Sequence, residues 1–270
     1  MDDKTKNKFE FKNYKIIEKN EVAPETVVFK IQGHIKRDPG QFFQVSMPHL
    51  GEATFAPCSD IGDTKHFELC IRCAGSTTNQ MIKLLPGDEM QIRGPYGNSW
   101  PIGKMIGKNV VVVAGGMGIV PLRPLIFELA RYRKEFKNIY IIAGFKTPEH
   151  VLFEKDFLSW NSIFKYVKVT VEKSGSKWWG ETGLITEILE KPKLSPNDTI
   201  VAMCGPDIMF KYATQTLLNK EIPKTNIYVS MERRMECGIG LCQHCNIGKF
   251  LVCKDGPIFS WQKIEPELGK

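Results

Sequence analysis

The sequence predicts a small antiparallel β barrel, then a doubly wound parallel α/β sheet, then a short cysteine-rich segment. Short strand-like runs separated by Pro, Gly and Asp fill residues 10–106, as in a small barrel. Strand-like and helix-like runs alternate over residues 107–230, which is typical of a parallel sheet. Four of the eight cysteines crowd into the last segment, residues 231–270, which fits neither pattern. Residues 1–9 are polar, and we expect a flexible tail there.

Composition and charge disfavour a secreted protein, a membrane-spanning protein and a nucleic-acid-binding protein. The 270 residues are 42% hydrophobic and 25% charged, which suits a globular chain of about two domains. The first residues contain no apolar signal region, and no apolar run approaches the roughly 20 residues of a membrane helix. We therefore expect a cytoplasmic protein without a membrane span. The net charge of +7 is spread along the chain without an aromatic-rich basic block, so nucleic acid is not an expected partner.

The strand prediction for the first region depends on a few runs and the turns between them. Residues 25–31 alternate, and residues 41–47 and 66–73 have similar strand-like composition. The turn Pro86-Gly-Asp88 leads into a further run at residues 89–93. Several short strands at this spacing predict a small barrel.

The second region is predicted as strands and helices in regular succession. The predicted strands cover residues 109–114, 138–144, 166–172, 198–204 and 226–230, and the predicted helices cover residues 121–133, 149–160, 181–190 and 206–220. Such alternation predicts a parallel sheet, and such sheets bind ligands at the carboxyl ends of their strands.

The cysteines near the C-terminus have the pattern C-x4-C-x2-C-x7-C. They are Cys237, Cys242, Cys245 and Cys253. The first two intervals are those of plant-type ferredoxins, in which one loop brings thiolates to two irons, and the last interval is much shorter than in a ferredoxin. Gly238 and Gly240 permit a tight loop that directs backbone N–H groups at the sulfurs. We therefore expect a [2Fe–2S] cluster, with the fourth ligand delivered by a hairpin at residues 248–252.

A structural zinc site is the alternative for the same cysteines. Zinc sites more often use paired C-x2-C elements, and only one such element is present here. His244 lies inside the pattern and is interpreted as a solvent-facing neighbour, because four thiols are available. The alternative function is a non-catalytic module on the same scaffold, either redox-sensing or a zinc-stabilised binding module.

A glycine-rich turn follows the first strand of the second region. Gly115, Gly116, Gly118 and Ile119 lead to Pro121, giving G-x-G-x-x-P where the dinucleotide fingerprint has a third glycine. Backbone amides at the start of the following helix suit a pyrophosphate. A second turn, Cys204-Gly205-Pro206, ends the fourth predicted strand of this region. We expect both turns to contact a nicotinamide nucleotide.

The choice between NADH and NADPH stays open at this level. The acidic residue that often follows the glycine turn by about 20 positions is missing, because strand 138–144 ends in Gly144-Phe145-Lys146. Lys146 and Arg123 are the candidate partners for a 2′-phosphate.

Together these motifs resemble the ferredoxin–NADP reductase superfamily, in its branch with a C-terminal [2Fe–2S] cluster. The likeness spans about residues 10–262 and is most specific at residues 231–245 and 252–259. That branch includes sulfhydrogenase gamma subunits, anaerobic sulfite reductase B subunits and the electron-transfer subunit of dihydroorotate dehydrogenase. The resemblance implies a Greek-key barrel that binds FAD, and an NAD(P)H-dependent oxidoreductase that works with other subunits of a redox complex.

The resemblance also implies which residues contact the flavin. The family's R-x-Y-S loop corresponds to Ala53, Thr54, Phe55 and Ala56, followed by Pro57, Cys58 and Ser59. Phe55 either stacks on the flavin or packs in the core. The family's arginine and serine are absent, so the contact to flavin N5 comes from Cys58 or from a backbone N–H.

Further flavin contacts and the closing strand of the barrel follow from the same resemblance. The strand end and the G-x-x-T element correspond to Cys70, Ile71, Arg72, Gly75, Thr77 and Thr78. Gly94-Pro-Tyr-Gly-Asn98 matches the element that closes the barrel. Cys204 is expected to position the nicotinamide and flavin rings without a covalent role.

The resemblance leaves the partner enzyme open. Cys58-Ser59 favours a hydrogenase of the sulfhydrogenase type, whereas the seven residues before Cys253 favour sulfite reductase. The Glu-Arg-Arg-Met lead-in at residues 232–235 disfavours a dihydroorotate-type partner.

Overall fold

The computed structural model describes residues 9–269, so the predicted tail lies almost wholly outside the described residues. Two sheets of six and seven strands, and a two-stranded hairpin, make up its β structure. Across residues 9–269, no helix combines the length and the apolar character that crossing a bilayer requires.

The first sheet is antiparallel and nearly closes on itself. Its elements are β1 (Lys12–Ala23), β2 (Thr26–Gln32), β3 (Phe42–Met47), β4 (Gly51–Phe55), β5 (His66–Arg72), α1 (Ser76–Met81), β6 (Glu89–Tyr96) and α2 (Ile102–Met105). The strand order is β4-β3-β6-β1-β2-β5. A bridge between Pro57 and Leu69 joins the end of β4 to β5, so the two edge strands meet, as the barrel prediction requires.

Alternate residues of these strands fill the barrel. Phe29 and Ile31 of β2, Phe43 of β3, and Phe67 and Leu69 of β5 are fully buried and belong to one cluster. This period of two is what a pleated strand imposes on its side chains.

The other face of β2 is also buried, which the predicted alternation of residues 25–31 did not anticipate. Val28 packs with Cys58 and Cys70 against the second half of the molecule, in a cluster that includes Val112 and Leu122. The barrel wall at β2 and β5 is therefore an interface, and both faces of its strands exclude water.

The second sheet is parallel except at one edge. Its strands are β7 (Asn109–Gly115), β8 (Ile139–Phe145), β9 (Tyr166–Val171), β10 (Glu181–Thr182), β11 (Thr199–Cys204) and β12 (Ile227–Ser230), with helices α3 (Ile119–Arg131), α4 (Glu154–Ile163), α5 (Ile185–Glu190) and α6 (Asp207–Asn219). The order β10-β9-β8-β7-β11-β12 confirms the doubly wound prediction. Helix α4 begins at residue 154, later than predicted, after Phe153 in a left-handed conformation (φ 58°).

The C-terminal segment is built into this sheet. A hairpin of β13 (Asn246–Ile247) and β14 (Phe250–Leu251) precedes α7 (Val252–Asp255), β15 (Ile258–Ser260) and α8 (Trp261–Ile264). Strand β15 pairs antiparallel with β12. The side chain of Asn98, from the closing element of the barrel, donates to the carbonyls of Asp255 and Ile258 and accepts from the N–H of Ile258. The segment is thus held by both halves of the molecule.

Candidate functional site

The four clustered cysteines converge, as their spacing predicts. The thiol of Cys242 contacts that of Cys237, and the thiol of Cys253 contacts that of Cys245. Cys245 and Cys253 are buried, whereas Cys237 and Cys242 are half-buried. The predicted hairpin is present as β13 and β14 and leads directly to Cys253. Four soft donors in one place suit an iron–sulfur cluster.

Backbone amides of the same loop point at these sulfurs. Cys237 Sγ accepts hydrogen bonds from the N–H of Leu241 at 3.2 Å and of Cys242 at 3.4 Å. Cys253 Sγ accepts one from the N–H of Gly240 at 3.1 Å. Gly240 has a φ of 84°, a left-handed conformation that favours glycine. Such N–H donors stabilise negative charge on thiolates, so the loop fits a cluster chemically as well as by its spacing.

A buried arginine of the barrel holds the cluster loop. Arg93 on β6 donates to the carbonyls of Cys237 at 2.7 Å and Glu236 at 3.0 Å, and to the Glu52 carboxylate at 2.7 Å. Its side chain is 3% exposed. In the sequence, Arg93 stands only at the end of a predicted strand. The structure therefore adds a residue that fixes the position of the cluster loop against the barrel.

His244 lies at the surface beside Glu236, which matters for the zinc alternative because a histidine can be a zinc ligand. Its imidazole is about half exposed and lies 3.3 Å from the Glu236 carboxylate. Glu236, Cys242 and His244 place their ligand atoms within 4.8 Å of one another. This set shares Cys242 with the four thiols, and its other two members lie at the surface.

The two turns of the second sheet meet at the carboxyl ends of β7 and β11. A Cβ on Gly118 would overlap the carbonyl of Cys204, and one on Gly115 would crowd Pro206. Glycine is therefore required where α3 approaches β11, and the predicted juxtaposition is present. The strand order reverses between these two strands, which is where doubly wound sheets bind their ligands.

Cys204 lies beneath this meeting point. Its side chain is 1% exposed, and burial raises the pKa of its thiol well above the ordinary value. A thiol that stays protonated is a poor nucleophile, which agrees with the expectation of a positioning role. Ser230, opposite Cys204 in the neighbouring strand β12, is its hydrogen-bond neighbour.

A cavity of about 600 Å³ opens beside the glycine turn. It lies over the ends of β7, β8 and β9 and between α5 and α6, and its walls include Gly116, Lys146, Glu172 and Tyr212. Its size suits part of a dinucleotide.

Arg123 is not in this cavity, which corrects one candidate for a 2′-phosphate partner. Its guanidinium pairs with Asp156 of α4 at 2.6 Å and with Glu68 of β5 at 2.7 Å. It also donates to the carbonyl of Cys58. Sequence alone could not show this, because Glu68 and Asp156 lie 55 and 33 residues away along the chain. Arg123 thus joins the two halves of the molecule, and only Lys146 of the two candidates lines the cavity.

The predicted flavin loop is divided between two faces of the barrel. Ala53 and Phe55 are partly buried and pack against the barrel core. The Thr54 hydroxyl accepts a hydrogen bond from Gln44 on the opposite face, where a Cβ on Gly238 of the cluster loop would also contact Gln44. Ala56 is half-buried next to Phe55. The ring of Phe55 thus takes the core-packing role with part of its surface still accessible.

Three other residues of the predicted flavin set lie below the surface. Cys58 and Cys70 are enclosed between the two halves, and Ser59 accepts hydrogen bonds from Arg37 and from the N–H of Glu68. Burial raises the pKa of Cys58 well above the ordinary value for a thiol. Because the thiol of Cys58 is enclosed, the structure disfavours Cys58 as the N5 contact. Buried Ile71 and Pro57 offer only their backbone to a ligand.

The remaining predicted flavin residues form an open surface at the end of β5. Arg72 is exposed, and a Cβ on Gly75 would meet no atom within 4 Å. The hydroxyl of Thr78 bonds within its own loop, and that of Thr77 donates to the Leu50 carbonyl, so neither is directed outward. An exposed arginine beside exposed loop backbone suits a phosphate group. Arg72 is therefore the better candidate for a phosphate partner than the hydroxyls of Thr77 and Thr78.

Sequence models of three families match successive parts of the chain. The oxidoreductase FAD-binding domain matches residues 13–100, and the oxidoreductase NAD-binding domain matches residues 112–215. The iron–sulfur cluster binding domain of dihydroorotate dehydrogenase B matches residues 232–265. The barrel, the parallel sheet and the cysteine loop therefore correspond to FAD, nicotinamide and iron–sulfur binding.

Two curated relatives align over most of the chain. The Pyrococcus furiosus sulfhydrogenase 1 subunit gamma is 36% identical over 86% of this chain and 82% of its own length. The Clostridium perfringens dihydroorotate dehydrogenase B (NAD(+)) electron transfer subunit is 32% identical over 93% of this chain and 96% of its own length.

The fold is also found in solved structures. A chain of an NADH-dependent reduced ferredoxin–NADP oxidoreductase superposes with a TM-score of 0.76 and 24% identity, covering 94% of this chain and 92% of that chain. Phthalate dioxygenase reductase superposes with a TM-score of 0.65 and 18% identity, covering 81% of this chain and 67% of that chain.

Proposed function

The chain belongs to the family of sulfhydrogenase gamma subunits and dihydroorotate dehydrogenase B electron-transfer subunits, and we propose that it passes electrons between a nicotinamide nucleotide and a partner subunit. It is an NAD-linked oxidoreductase of the ferredoxin–NADP reductase superfamily, with FAD, nicotinamide and iron–sulfur binding parts.

The observation that carries the proposal is the attachment of the cysteine loop to the barrel. When bound, FAD exchanges a two-electron hydride with the nicotinamide and single electrons with an iron–sulfur cluster. Arg93, on the last strand of the barrel, holds the cysteine loop. Asn98, just after that strand, holds the segment that follows the loop. The turns at Gly116 and Cys204 lie at the ligand-binding end of the second sheet.

Absorbance of the protein purified without oxygen tests the proposal directly. Flavin bands together with a broad iron–sulfur envelope at longer wavelength, and bleaching of the flavin by NADH or NADPH, are the expected result. A colourless protein that contains zinc would instead support the binding-module alternative, which the match to an iron–sulfur domain disfavours.

We propose a hydrogenase of the sulfhydrogenase type as the partner, because the gamma subunit of such an enzyme is 36% identical to this chain. A dihydroorotate-oxidising partner is the second candidate, favoured by the match of the cysteine segment. A sulfite reductase partner has only the seven-residue interval before Cys253 in its favour. The isolated chain is expected to reduce artificial dyes, while chemistry on dihydrogen or dihydroorotate requires the partner.

Replacing Gly116 with valine is expected to weaken nucleotide binding about tenfold or more and to leave the flavin content intact. Gly116 lines the cavity, and a Cβ there would meet no protein atom within 4 Å, so the new side chain would occupy ligand space. Titration of NAD⁺ and NADP⁺ into the variant measures the loss, and flavin absorbance per chain measures the flavin content.

Gly107→Val is the matched control for this prediction. Gly107 precedes the same strand, has a φ of 71° against 52° for Gly116, and has equally open surroundings, but it is not among the cavity-lining residues. It therefore imposes similar backbone strain at the other end of β7. Equal weakening in both variants would assign the effect to strain and contradict the placement of the nucleotide.

Reversing Lys249 and Lys254 to glutamate is expected to weaken assembly with the partner at low salt and to leave the cluster in place. Both lysines are exposed, and the side chain of Lys254 lies against Gly240 of the cysteine loop, whose next residue, Leu241, is 67% exposed. Arg233 and Arg234 have acidic neighbours, Asp207 and Glu236. Lys249 lies 3.9 Å from Glu267, so Lys254 is expected to contribute more to steering an acidic surface.

Co-purification with the partner subunits at low and high salt measures this effect. The control reverses Lys134 and Lys155, which are exposed lysines in the segments that follow β7 and β8 and lie outside the cysteine segment. An unchanged yield of complex for the Lys249 and Lys254 reversal at low salt would leave these lysines as ordinary solvated surface.

A further inference from the structure

We propose that the side-chain amide of Gln44 donates an N–H hydrogen bond to the sulfurs of the iron–sulfur cluster and thereby raises the reduction potential of that cluster. The inference rests on the proposed function, because it concerns the cluster that the cysteine loop is proposed to use. It gives a role to a barrel residue that lies outside the cysteine motif and outside the set expected to contact the flavin.

A row of three polar side chains crosses the barrel wall beneath the cysteine loop. In the sheet register, Gln44 of β3 lies directly opposite Thr54 of β4 on one side and Arg93 of β6 on the other. The neighbours of Gln44 along β3, Phe43 and Val45, belong to the barrel core, so Gln44 faces outward by the period of two. Gln44 is nevertheless 0% exposed, because this outer face is covered.

The cysteine loop is part of that cover and approaches Gln44 closely. Gly238, the residue after the ligand Cys237, is buried and has a φ of 74°. A Cβ on Gly238 would lie 3.3 Å from Cγ of Gln44 and 3.2 Å from the ring of Tyr96. The backbone that follows a predicted cluster ligand therefore lies against the Gln44 side chain.

One end of the buried Gln44 amide has no partner within the described chain. Its Nε2 lies 2.8 Å from the Thr54 hydroxyl, whereas its Oε1 has no hydrogen-bond partner among residues 9–269. Arg93 does not supply one, because its guanidinium donates to Glu52 and to two carbonyls of the cysteine loop. A buried polar atom left in this way costs about 1–3 kcal/mol and requires an explanation.

Rotating the amide by 180° makes Gln44 a donor at the position that has no partner. The Thr54 hydroxyl can donate as well as accept, so it can bond to either end of the amide. With Oε1 turned to that hydroxyl, the N–H groups of Nε2 take the other position. Thiolate and sulfide sulfurs carry negative charge and accept hydrogen bonds, so a cluster on the neighbouring cysteines matches an N–H donor and not a carbonyl oxygen.

Such a donor affects the potential of the cluster. Hydrogen bonds to the sulfurs stabilise the reduced, more negative state most, so they raise the reduction potential. The N–H donors of Gly240, Leu241 and Cys242 come from the cysteine loop itself. Gln44 adds a donor from the barrel, held by Thr54 on the strand that carries the predicted flavin loop. Its contribution favours electron movement from the flavin to the cluster.

The test is a redox titration of the purified full chain and of Gln44→Met, followed by the electron paramagnetic resonance of the reduced cluster. Methionine keeps the length and flexibility of glutamine and removes the amide. We expect the equilibrium constant for cluster reduction to fall about tenfold, which is about 59 mV for a one-electron couple. Iron and flavin content per chain should stay unchanged.

Gln41→Met is the matched control. Gln41 lies just before β3, and both ends of its amide have partners: the N–H of Asp38 at 2.8 Å and the carbonyl of Gly97 at 3.0 Å. Its replacement removes two hydrogen bonds of the barrel, and the potential should stay unchanged. Thr54→Val is the second variant, which keeps Gln44 and removes the hydroxyl that orients its amide. We expect a smaller fall in the potential there.

An unchanged potential in Gln44→Met would overturn the inference, and so would an equal fall in Gln41→Met. If Gln44→Met does not fold with its cluster, Thr54→Val decides, and an unchanged potential in that variant overturns the inference. Absence of an iron–sulfur resonance from the unaltered chain would overturn the proposed function together with the inference. A cluster that NADH or NADPH reduces through the flavin, with the same potential in all variants, would overturn the inference and leave the proposed function intact.

Discussion

Replacing Cys242 with serine is expected to remove the iron–sulfur chromophore while the flavin stays bound. The Cys242 thiol contacts that of Cys237, and a serine hydroxyl is a much poorer ligand for iron than a thiolate. Bleaching of the flavin by NAD(P)H should persist, because the glycine turn and the barrel are untouched. Electron delivery to the partner should fall at least about tenfold. Iron content, long-wavelength absorbance and stopped-flow bleaching measure the three effects.

Cys73→Ser controls for the loss of a thiol as such. Cys73 is half-buried outside the cysteine loop, and its sulfur lies 2.6 Å from the Asn79 side-chain oxygen. Its replacement should leave the iron content and the spectrum unchanged. A normal cluster spectrum in Cys242→Ser would show that the ligand assignment is wrong.

Replacing Arg93 with methionine is expected to lower the free energy of unfolding by about 2–4 kcal/mol and to make the cluster labile. The change removes the donor to two carbonyls of the cluster loop and leaves the partly buried Glu52 carboxylate without that partner. Unfolding in denaturant measures stability. The rate at which a chelator removes iron measures how firmly the loop is held, independently of catalytic activity.

Arg234→Met is the control for Arg93. Arg234 carries the same charge on the cluster loop and pairs with Glu236 at 3.2 Å, but its side chain is 81% exposed. An exposed ion pair contributes at most about 1 kcal/mol. Arg93→Lys should be intermediate, because an ammonium cannot reproduce the fixed fork of a guanidinium. Equal effects at positions 93 and 234 would show that Arg93 acts only as a local charge.

The sequence pattern was sufficient to predict those features of the fold and the site that depend on residues close together along the chain. The cysteine spacing, the hairpin before Cys253 and the alternation of strands and helices over residues 107–230 are all readable along the chain. Each involves residues within one loop or one repeat of the backbone, so spacing alone constrains their geometry. The glycine turn is of the same kind, since the need for small residues there is local to one strand–helix connection.

Tertiary structure decided which residues from distant parts of the chain meet. Arg93 reaches a cysteine loop 144 residues away, and Arg123 is committed to joining the two halves. Cys58 is enclosed because both faces of the barrel wall are covered, and Glu172 reaches the cavity because β9 lies two strands from β7. Periodicity tells which side of a strand is apolar, but the neighbours of that strand are set by sheet order and packing. The sequence by itself therefore predicted the cysteine site, the nucleotide turn and the fold class, and only the tertiary structure decided which residues hold the cysteine loop in place and which candidate site residues are enclosed between the two halves.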